Sequence, residues 1–415
     1  MSLFLYEFKK IWNWRILALI AALAALVWFS ILRGDIQTYK TVSHYGLSYG
    51  PYQREMFEKY GPTLEPEELA DYDIPGKQAA LYAELDDWIA QDPLFTGNGI
   101  STYAEYDLFR SKDRSGMSEA ELEPFDEITM QMDMKLSLDE YWNDPRKQFA
   151  SPYVRLGMIS NLYDKYAEYE PYLQDYIDHD ERPVVAEAAR RILARHNNSL
   201  VPDNLNGSVS LYATVVGVSV ILAALLLVSP PLARDRMRRI YLLHYSSAAG
   251  RRMLFIQWAA MAFSACALSL LLVGLSAIPL FAAGVGDYLG ASMLVLESGG
   301  GLGILYDITF GQYAMLLAGM IVLLSVGAAC FAFLLAKFST NTMSALVKIV
   351  PLGLAFWVLY LSAISDSFFE HNALFSVILR GRAVMPELIL CMMIAAAGAA
   401  AAVIVTAREN KVDAA

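Results

Sequence analysis

The 415-residue chain is 56% hydrophobic, and 32 Lys+Arg against 43 Asp+Glu leave a net charge of −11. Its mean hydropathy of +0.36 excludes an ordinary soluble protein of this length. All three cysteines, Cys266, Cys330 and Cys391, fall in apolar runs, which excludes a disulfide-stapled external domain and any metal-type cysteine pair.

In chain order, Ser2–Asn13 places Phe4, Phe8, Ile11 and Trp12 on one helical face and Glu7, Lys9 and Lys10 on the other, the pattern of a helix lying in the membrane interface. The plainer reading is a polar start to the first span. Asn13 and Arg15 separate the segment from the continuous apolar run and favour the interfacial helix. A first span is predicted over Trp14–Leu32. Bulky Trp28, Phe29 and Ile31 at its end argue against a cleaved signal peptide.

Residues Arg33–Gly207 change character. They hold 17 Lys+Arg and 33 Asp+Glu and are rich in tyrosine, so they are expected to fold in water as an inserted domain (33–207) with a core of its own. The pattern is helical. Ser118 and Glu121 have capping-box spacing ahead of Leu122, Phe125, Ile128, Met132 and Leu136. Tyr153–Ile177 repeats the periodicity, and Pro183 suits the first turn of a helix reaching about His196. Glu65–Gly76 and Asp92–Ser101, punctuated by Pro and Gly, read as loops. The acidic surface suits cationic ligands and the tyrosines suit sugars or a partner, whereas a solubilising surface over a Tyr-filled core explains any single residue more simply. Asp178-His179-Asp180-Glu181 lacks metal-site spacing and reads as a solvated turn. The Asn197-Asn198-Ser199 sequon carries little weight by itself.

Five further spans are predicted in 208–415: Val209–Ser229, Leu254–Ala282, Gln312–Ala336, Val347–Ile364 and Leu388–Thr406. The basic residues Lys9, Lys10 and Arg15, then Arg234, Arg236, Arg238, Arg239, Arg251 and Arg252, then Lys337, Lys348, Arg408 and Lys411 all fall on one side of a six-span chain, which is therefore expected to be cytoplasmic. Gly284–Gly311 has three acids and no basic residue, as an external loop should. Arg380 and Arg382 break the rule. The expected fold is an all-α membrane protein with six transmembrane helices, an N-terminal interfacial helix, a mostly helical extracellular domain between spans one and two, and both termini cytoplasmic.

Chemistry is sparse. No G-x-x-x-x-G-K-[ST] or H-E-x-x-H occurs, and the Gly-rich stretch Ser298–Gly303 reads as a flexible loop. The span interiors carry few ionisable residues, against a proton-coupled carrier and against an intramembrane enzyme. No catalytic residue, cofactor or metal is expected, and a protein that moves something without an energy site needs a partner that has one. The segment Arg234–Trp258 points to that partner. Met237, Ile240, Tyr241, Leu243 and His244 make an amphipathic stretch among arginines, suited to a groove in a cytoplasmic protein or to anionic headgroups.

This order of elements resembles the membrane subunit of ATP-binding-cassette transporters of the type-2 export family. In the loop 230–253 the resemblance rests on Asp235, Leu242-Leu243, Ser246-Ser247 and Gly250-Arg251-Arg252, followed by Met253-Leu254. Met237-Arg238-Arg239 stands where the family usually has Gly-Thr, and Gln257-Trp258 where a Lys often closes the motif. The resemblance implies a division of labour. Two permease copies, or this chain and a homologous one, form a pathway in membrane lipid. Two separate ATPase chains bind ATP and magnesium. The loop transmits ATPase closure through Asp235, Arg238, Arg239, Leu242, Leu243, Ser246, Gly250 and Arg251, and the interfacial helix presses on the same ATPase. It further implies an external hairpin near Ser365–Val384, with Phe368, Phe369 and Phe375 dipping into the outer leaflet. Ala395–Ala402 allows close helix approach within the subunit or across a dimer. The expected function is an ATP-driven exporter permease for a peptide, drug or lipid-like compound, with no nucleic-acid partner. The alternative is a membrane sensor whose external domain signals to a cytoplasmic protein.

Overall fold

The computed structural model describes residues 3–45, 50–113, 118–137, 145–237, 252–297, 300–339, 342–361 and 385–409. Among them the regular structure is helical, with three isolated β-bridges and no strand. Helix α1 (Leu3–Ile11) precedes α2 (Trp14–Val27), which Asn13 caps by accepting the Arg15 amide at 2.9 Å. A π-helical turn, Trp28–Leu32, joins α2 without a break to α3 (Arg33–Tyr45). The first apolar helix therefore runs on past Leu32.

The inserted domain follows as α4 (Gly50–Tyr60), α5 (Pro66–Tyr72), α6 (Ile74–Gln91), α7 (Pro93–Thr96), α8 (Tyr103–Arg110), α9 (Glu119–Ser137), α10 (Pro145–Phe149), α11 (Pro152–Tyr166), α12 (Glu170–His179) and α13 (Pro183–Ala194). Met56, Leu85, Ile89, Phe95, Tyr106, Met132, Ile159 and Leu162 close its core. The hydroxyl of Tyr106 donates to Asp133 from inside it, and burial, aided by that carboxylate, pushes the phenol well above its ordinary range. The expected loop at Glu65–Gly76 is instead helical. Pro66 fills the first position of α5, Glu65 and Glu68 form a capping box, and Asp73 in the left-handed region (φ 50) ends α5 and starts α6 by accepting the Gly76 amide. Asp178 and His179 belong to the last turn of α12 and not to a turn between elements. No group of metal-ligating side chains occurs among the described residues.

The bundle consists of α14 (Asp203–Met237), α15 (Arg252–Ala282), α16 (Phe310–Lys337), α17 (Thr342–Tyr360) and α18 (Pro386–Glu409). Five helical stretches are long and apolar enough to cross a bilayer: Trp14–Thr41, Leu205–Leu232, Arg252–Ala282, Phe310–Lys337 and Pro386–Arg408. The apolar part of α17, Val347–Tyr360, is shorter. The expected span Val347–Ile364 thus falls below that length within the described residues, and Ser365–Val384 with Phe368, Phe369, Phe375, Arg380 and Arg382 lies outside them.

Helices α14 and α16 sit at the centre, and the window of each is 61% buried, against 11% for the first apolar helix. The small residues of α18 are used inside the subunit. A β-carbon on Gly398 would lie 3.1 Å from Cys330 Cβ and 3.2 Å from the Gly327 carbonyl, so α18 and α16 approach through glycine and alanine. Helices α14 and α17 meet where the Tyr360 hydroxyl donates to the Ala213 carbonyl at 2.9 Å and its ring covers Gly217. Any β-carbon at 217 collides with that ring. Gly217→Val is expected to cost about 1–3 kcal/mol by overpacking, read as a lower melting temperature in mild detergent. Adding Tyr360→Leu is expected to restore part of the loss, because the smaller side chain vacates the ring position.

The domain is fixed to the bundle at a second joint besides α14. Tyr169, Leu173, Val185, Ala189 and Ile192 of the α12–α13 region form one core with Leu294, Leu296, Leu302 and Leu305, from the connection between α15 and α16. Asn197, fully buried and left-handed (φ 46), donates to the Lys165 carbonyl at 2.7 Å and accepts the Leu296 amide at 3.0 Å. Ser199 donates to the Ser292 carbonyl at 2.6 Å, and Arg195 reaches Ser292 and Asp307. The flexible loop expected at Ser298–Gly303 is, from Gly300 onward, part of this packed joint. Gly300 turns at φ 81, and a β-carbon on Gly303 would stand 2.8 Å from the Met293 carbonyl.

Candidate functional site

The polar cluster most removed from the domain lies at the far end of α14. Asp235 stands 32 residues after the start of that helix, roughly 48 Å along its axis. Three elements meet there: α1, the last turns of α14 and the first turns of α15.

The apolar face of α1 packs on α15. Phe4 and Phe8 contact Phe263 with ring centroids 6.0 and 5.7 Å apart, Phe8 stacks toward Trp12 at 5.4 Å, and the Trp12 indole N–H donates to Ser264 Oγ at 3.1 Å. Ile11 is buried in the bundle core. All four residues of the expected apolar face are thus brought together, against protein. Leu3, Leu5 and Tyr6 remain exposed on α1.

The polar face differs from expectation at Glu7. Periodicity places Glu7 with Lys9 and Lys10 on the solvent side, yet Glu7 is only 4% exposed. Lys10 explains this. Its ammonium donates to Glu7 at 2.9 Å and, in a still closer contact, to Asp235, and Gln257 Nε2 also donates to Asp235 at 3.2 Å. A carboxylate with a hydrogen-bonded cation tolerates burial that it does not tolerate alone. Burial pulls the Lys10 ammonium down, but the hydrogen bonds and charges of Asp235 and Glu7 outweigh it and hold the group above its ordinary value.

The arrangement is a three-point clamp. One lysine ties the N-terminal helix to the end of α14, Gln257 ties that same point to α15, and the aromatic face fixes α1 two turns further along α15. Helix α1 is thus held to both helices at once. Of the other expected loop residues, Arg238, Arg239, Leu242, Leu243, Ser246, Gly250 and Arg251 lie outside the described residues. Asp235 belongs to the clamp, and Arg234 beside it is exposed. Sequence reasoning missed Lys10, Gln257, Phe263 and Ser264 as a unit. The available signal was Asp235, a lone acid in a run of arginines, together with a basic face on α1.

The long apolar helices and this arrangement define a helical multi-pass membrane protein with a large folded domain at one end and a half-buried ionic clamp at the other. No family model matches the chain, and neither a curated protein nor a solved structure matches it.

Proposed function

We propose that this chain is the permease subunit of an ATP-driven exporter of the type-2 ATP-binding-cassette kind. In this reading α17 serves as the fifth of six spans, and both termini share the cytoplasmic side with residues 238–251. The observation that carries the reading is the Lys10–Asp235 clamp. It joins the N-terminal helix to α14 and α15 where the arginine-rich segment leaves one and enters the other, so a partner bearing on either element moves both spans. The sequence has no phosphate-binding Gly-x-x-x-x-Gly-Lys, so in this reading the ATPase is a separate chain. The second joint supports the same reading from the other end, because motion of α14 to α16 is passed to the inserted domain through Asn197 and Ser199. The cargo class is a peptide, drug or lipid-like compound.

Coexpression with the ATPase encoded nearest to it tests the proposal. The two chains are expected to copurify, and ATP turnover in vesicles is expected to fall about tenfold or more in the double variant Arg238→Glu/Arg239→Glu, since charge reversal at a docking contact removes favourable pairs and adds repulsion. If no ATPase copurifies and the double variant transports as the parent does, the permease reading is wrong.

A further inference from the structure

The first apolar helix leaves a cleft that its neighbours do not fill. A cavity of about 220 Å³ runs between α2, α14 and α15, walled by Leu23, Val27 and Leu32 on one side and by Val216, Val220 and Leu272 on the other. Its wall on α2 and the π-helical turn extends from Ile20 to Leu32, twelve residues or roughly 18 Å, close to the depth of one bilayer leaflet. Two serines in the lining, Ser219 and Ser276, already donate to the carbonyls of Val215 and Val273 in their own helices, so the surface presented is apolar. A second apolar cavity of about 110 Å³ shares Val216 and Ser276 with the first and reaches Tyr212.

At the domain end of this cleft stands a carboxylate. Asp35 follows Leu32 by three residues on the same continuous helix and so shares its face. It lies within electrostatic range of Tyr212, whose hydroxyl is committed to the Ser276 carbonyl at 2.8 Å. Asp35 as a whole is half-buried, with Oδ2 enclosed and without a hydrogen-bond partner among the described residues. An enclosed carboxylate oxygen without a donor is costly. At the edge of a membrane span, an ionisable group so placed marks a binding function. The π-helical turn Trp28–Leu32 ends one turn before it. Such turns recur at functional sites because they re-aim the residues that follow.

The geometry points to a binding site for a single-chain cationic amphiphile, with its alkyl chain in the cleft between α2 and α14 and its ammonium on Asp35. Charge complementarity selects this occupant over a neutral or anionic one. The adjoining domain, with 17 basic and 33 acidic residues in 33–207, also concentrates cations at the mouth. The inference rests on the transport reading for the role of cargo entrance, but not for binding itself.

The test uses the full chain without any ATPase, in nanodiscs of phosphatidylcholine. The probe is dodecylamine carrying a photoreactive diazirine on its chain, with dodecylamine, dodecanol and dodecanoate as competitors. Crosslinks are expected in peptides of α2 and α14. Dodecylamine is expected to displace the probe about tenfold better than dodecanol, the value of one hydrogen bond to a charged group. Asp35→Asn is expected to abolish that preference and Asp35→Glu to keep it. Ala223→Trp, which fills the cleft, is expected to remove the crosslinks while the chain still elutes as the parent does. Equal displacement by all three competitors of the parent protein overturns the proposal, since the cleft then holds bilayer acyl chains. Crosslinks absent from α2 and α14 also overturn it, since a second copy of the chain then covers the cleft. A failed ATPase copurification leaves a positive binding result standing, and failed binding leaves the coupling reading standing.

Discussion

Asn197→Ala is expected to lower the stability of the protein by about 2–4 kcal/mol, the sum of two buried hydrogen bonds lost and a left-handed backbone imposed on alanine. The Lys165 carbonyl and the Leu296 amide both lose the hydrogen bond that Asn197 supplies. Three variants separate the causes. Asn197→Gly keeps the left-handed conformation and loses both bonds, so it is expected to lie above Asn197→Ala by the strain alone, about 1 kcal/mol. Asn197→Asp keeps the acceptor for Leu296 and loses the donor to Lys165. Melting in mild detergent reads the total. Amide exchange over 292–309 reads where it falls, and protection there is expected to drop before that of the α6–α11 core. Unchanged exchange in that segment for Asn197→Ala sinks the joint as described. The same burial bears on the sequon. The Asn197 side-chain nitrogen is fully enclosed and donates to Lys165, so it is closed to a glycosyl transferase once the joint has formed.

This joint makes the domain a packed extension of the bundle instead of a tethered accessory. Gln53 donates to the Val201 carbonyl at 2.7 Å and to the Tyr166 hydroxyl at 2.8 Å, and that hydroxyl in turn donates to the Ser199 carbonyl at 2.8 Å. Phe57 meets Tyr288 with centroids 4.5 Å apart. The domain core is thereby linked through residues 197–201 to α14 below and to the α15–α16 connection beside it. Arg195 adds a guanidinium that burial pulls below its ordinary range even with Asp307 opposite, a group that the joint holds at some electrostatic cost.

The apolar cores of the long helices were legible because hydropathy over roughly 20 residues needs no knowledge of neighbours. Helices α15, α16 and α18 begin and end within three residues of the expected spans. Helix ends were less legible where polar turns draw their support from tertiary contacts. Helix α14 starts at Asp203, inside the inserted segment, and passes through Pro230-Pro231 to Met237, although proline reads as a stop in isolation. The region Glu65–Gly76 was misread because Pro at a first helical turn and Pro in a loop are the same letters. The capping reciprocity of Glu65 and Glu68 was the signal that distinguishes them. Glu7 was misplaced for a different reason. Periodicity says which residues share a face, but not that a lysine and an aspartate 225 residues apart will meet there. Asn197 and Leu296 are likewise 99 residues apart, and nothing local to either announces the other.

Lys10→Met is expected to be the most damaging change to the clamp. It leaves Glu7 and Asp235 facing each other without the cation that neutralised both, and breaking a half-buried pair from one side is expected to cost about 1–3 kcal/mol. Asp235→Asn is expected to cost less, because Lys10 retains Glu7 at 2.9 Å and the amide still accepts from Gln257. The exchange Lys10→Asp/Asp235→Lys places two acids, at positions 7 and 10, beside one lysine, so it is expected to recover part of the loss, with a coupling energy of about 1–3 kcal/mol in the double-mutant cycle. A zero coupling energy removes the clamp as an energetic unit. The pH dependence follows from the sign of the shift. The Lys10 value is raised in the folded state, so its contribution is fully present below the unfolded value of about 10.4 and is lost as pH rises through the folded value. Between pH 6 and 9 the Lys10 contribution is therefore constant, and the stability difference between parent and Lys10→Met is expected to stay flat across that range before narrowing in stronger base. Should the clamp relay force as well as hold shape, ATP turnover and transport respond differently to Lys10→Met. Under the proposed permease reading, turnover by the ATPase partner is expected to persist, since its nucleotide site is untouched, while cargo movement is expected to fall because α1 is no longer tied to α14 and α15. Equal losses in both instead mark Lys10 as a support for folding alone.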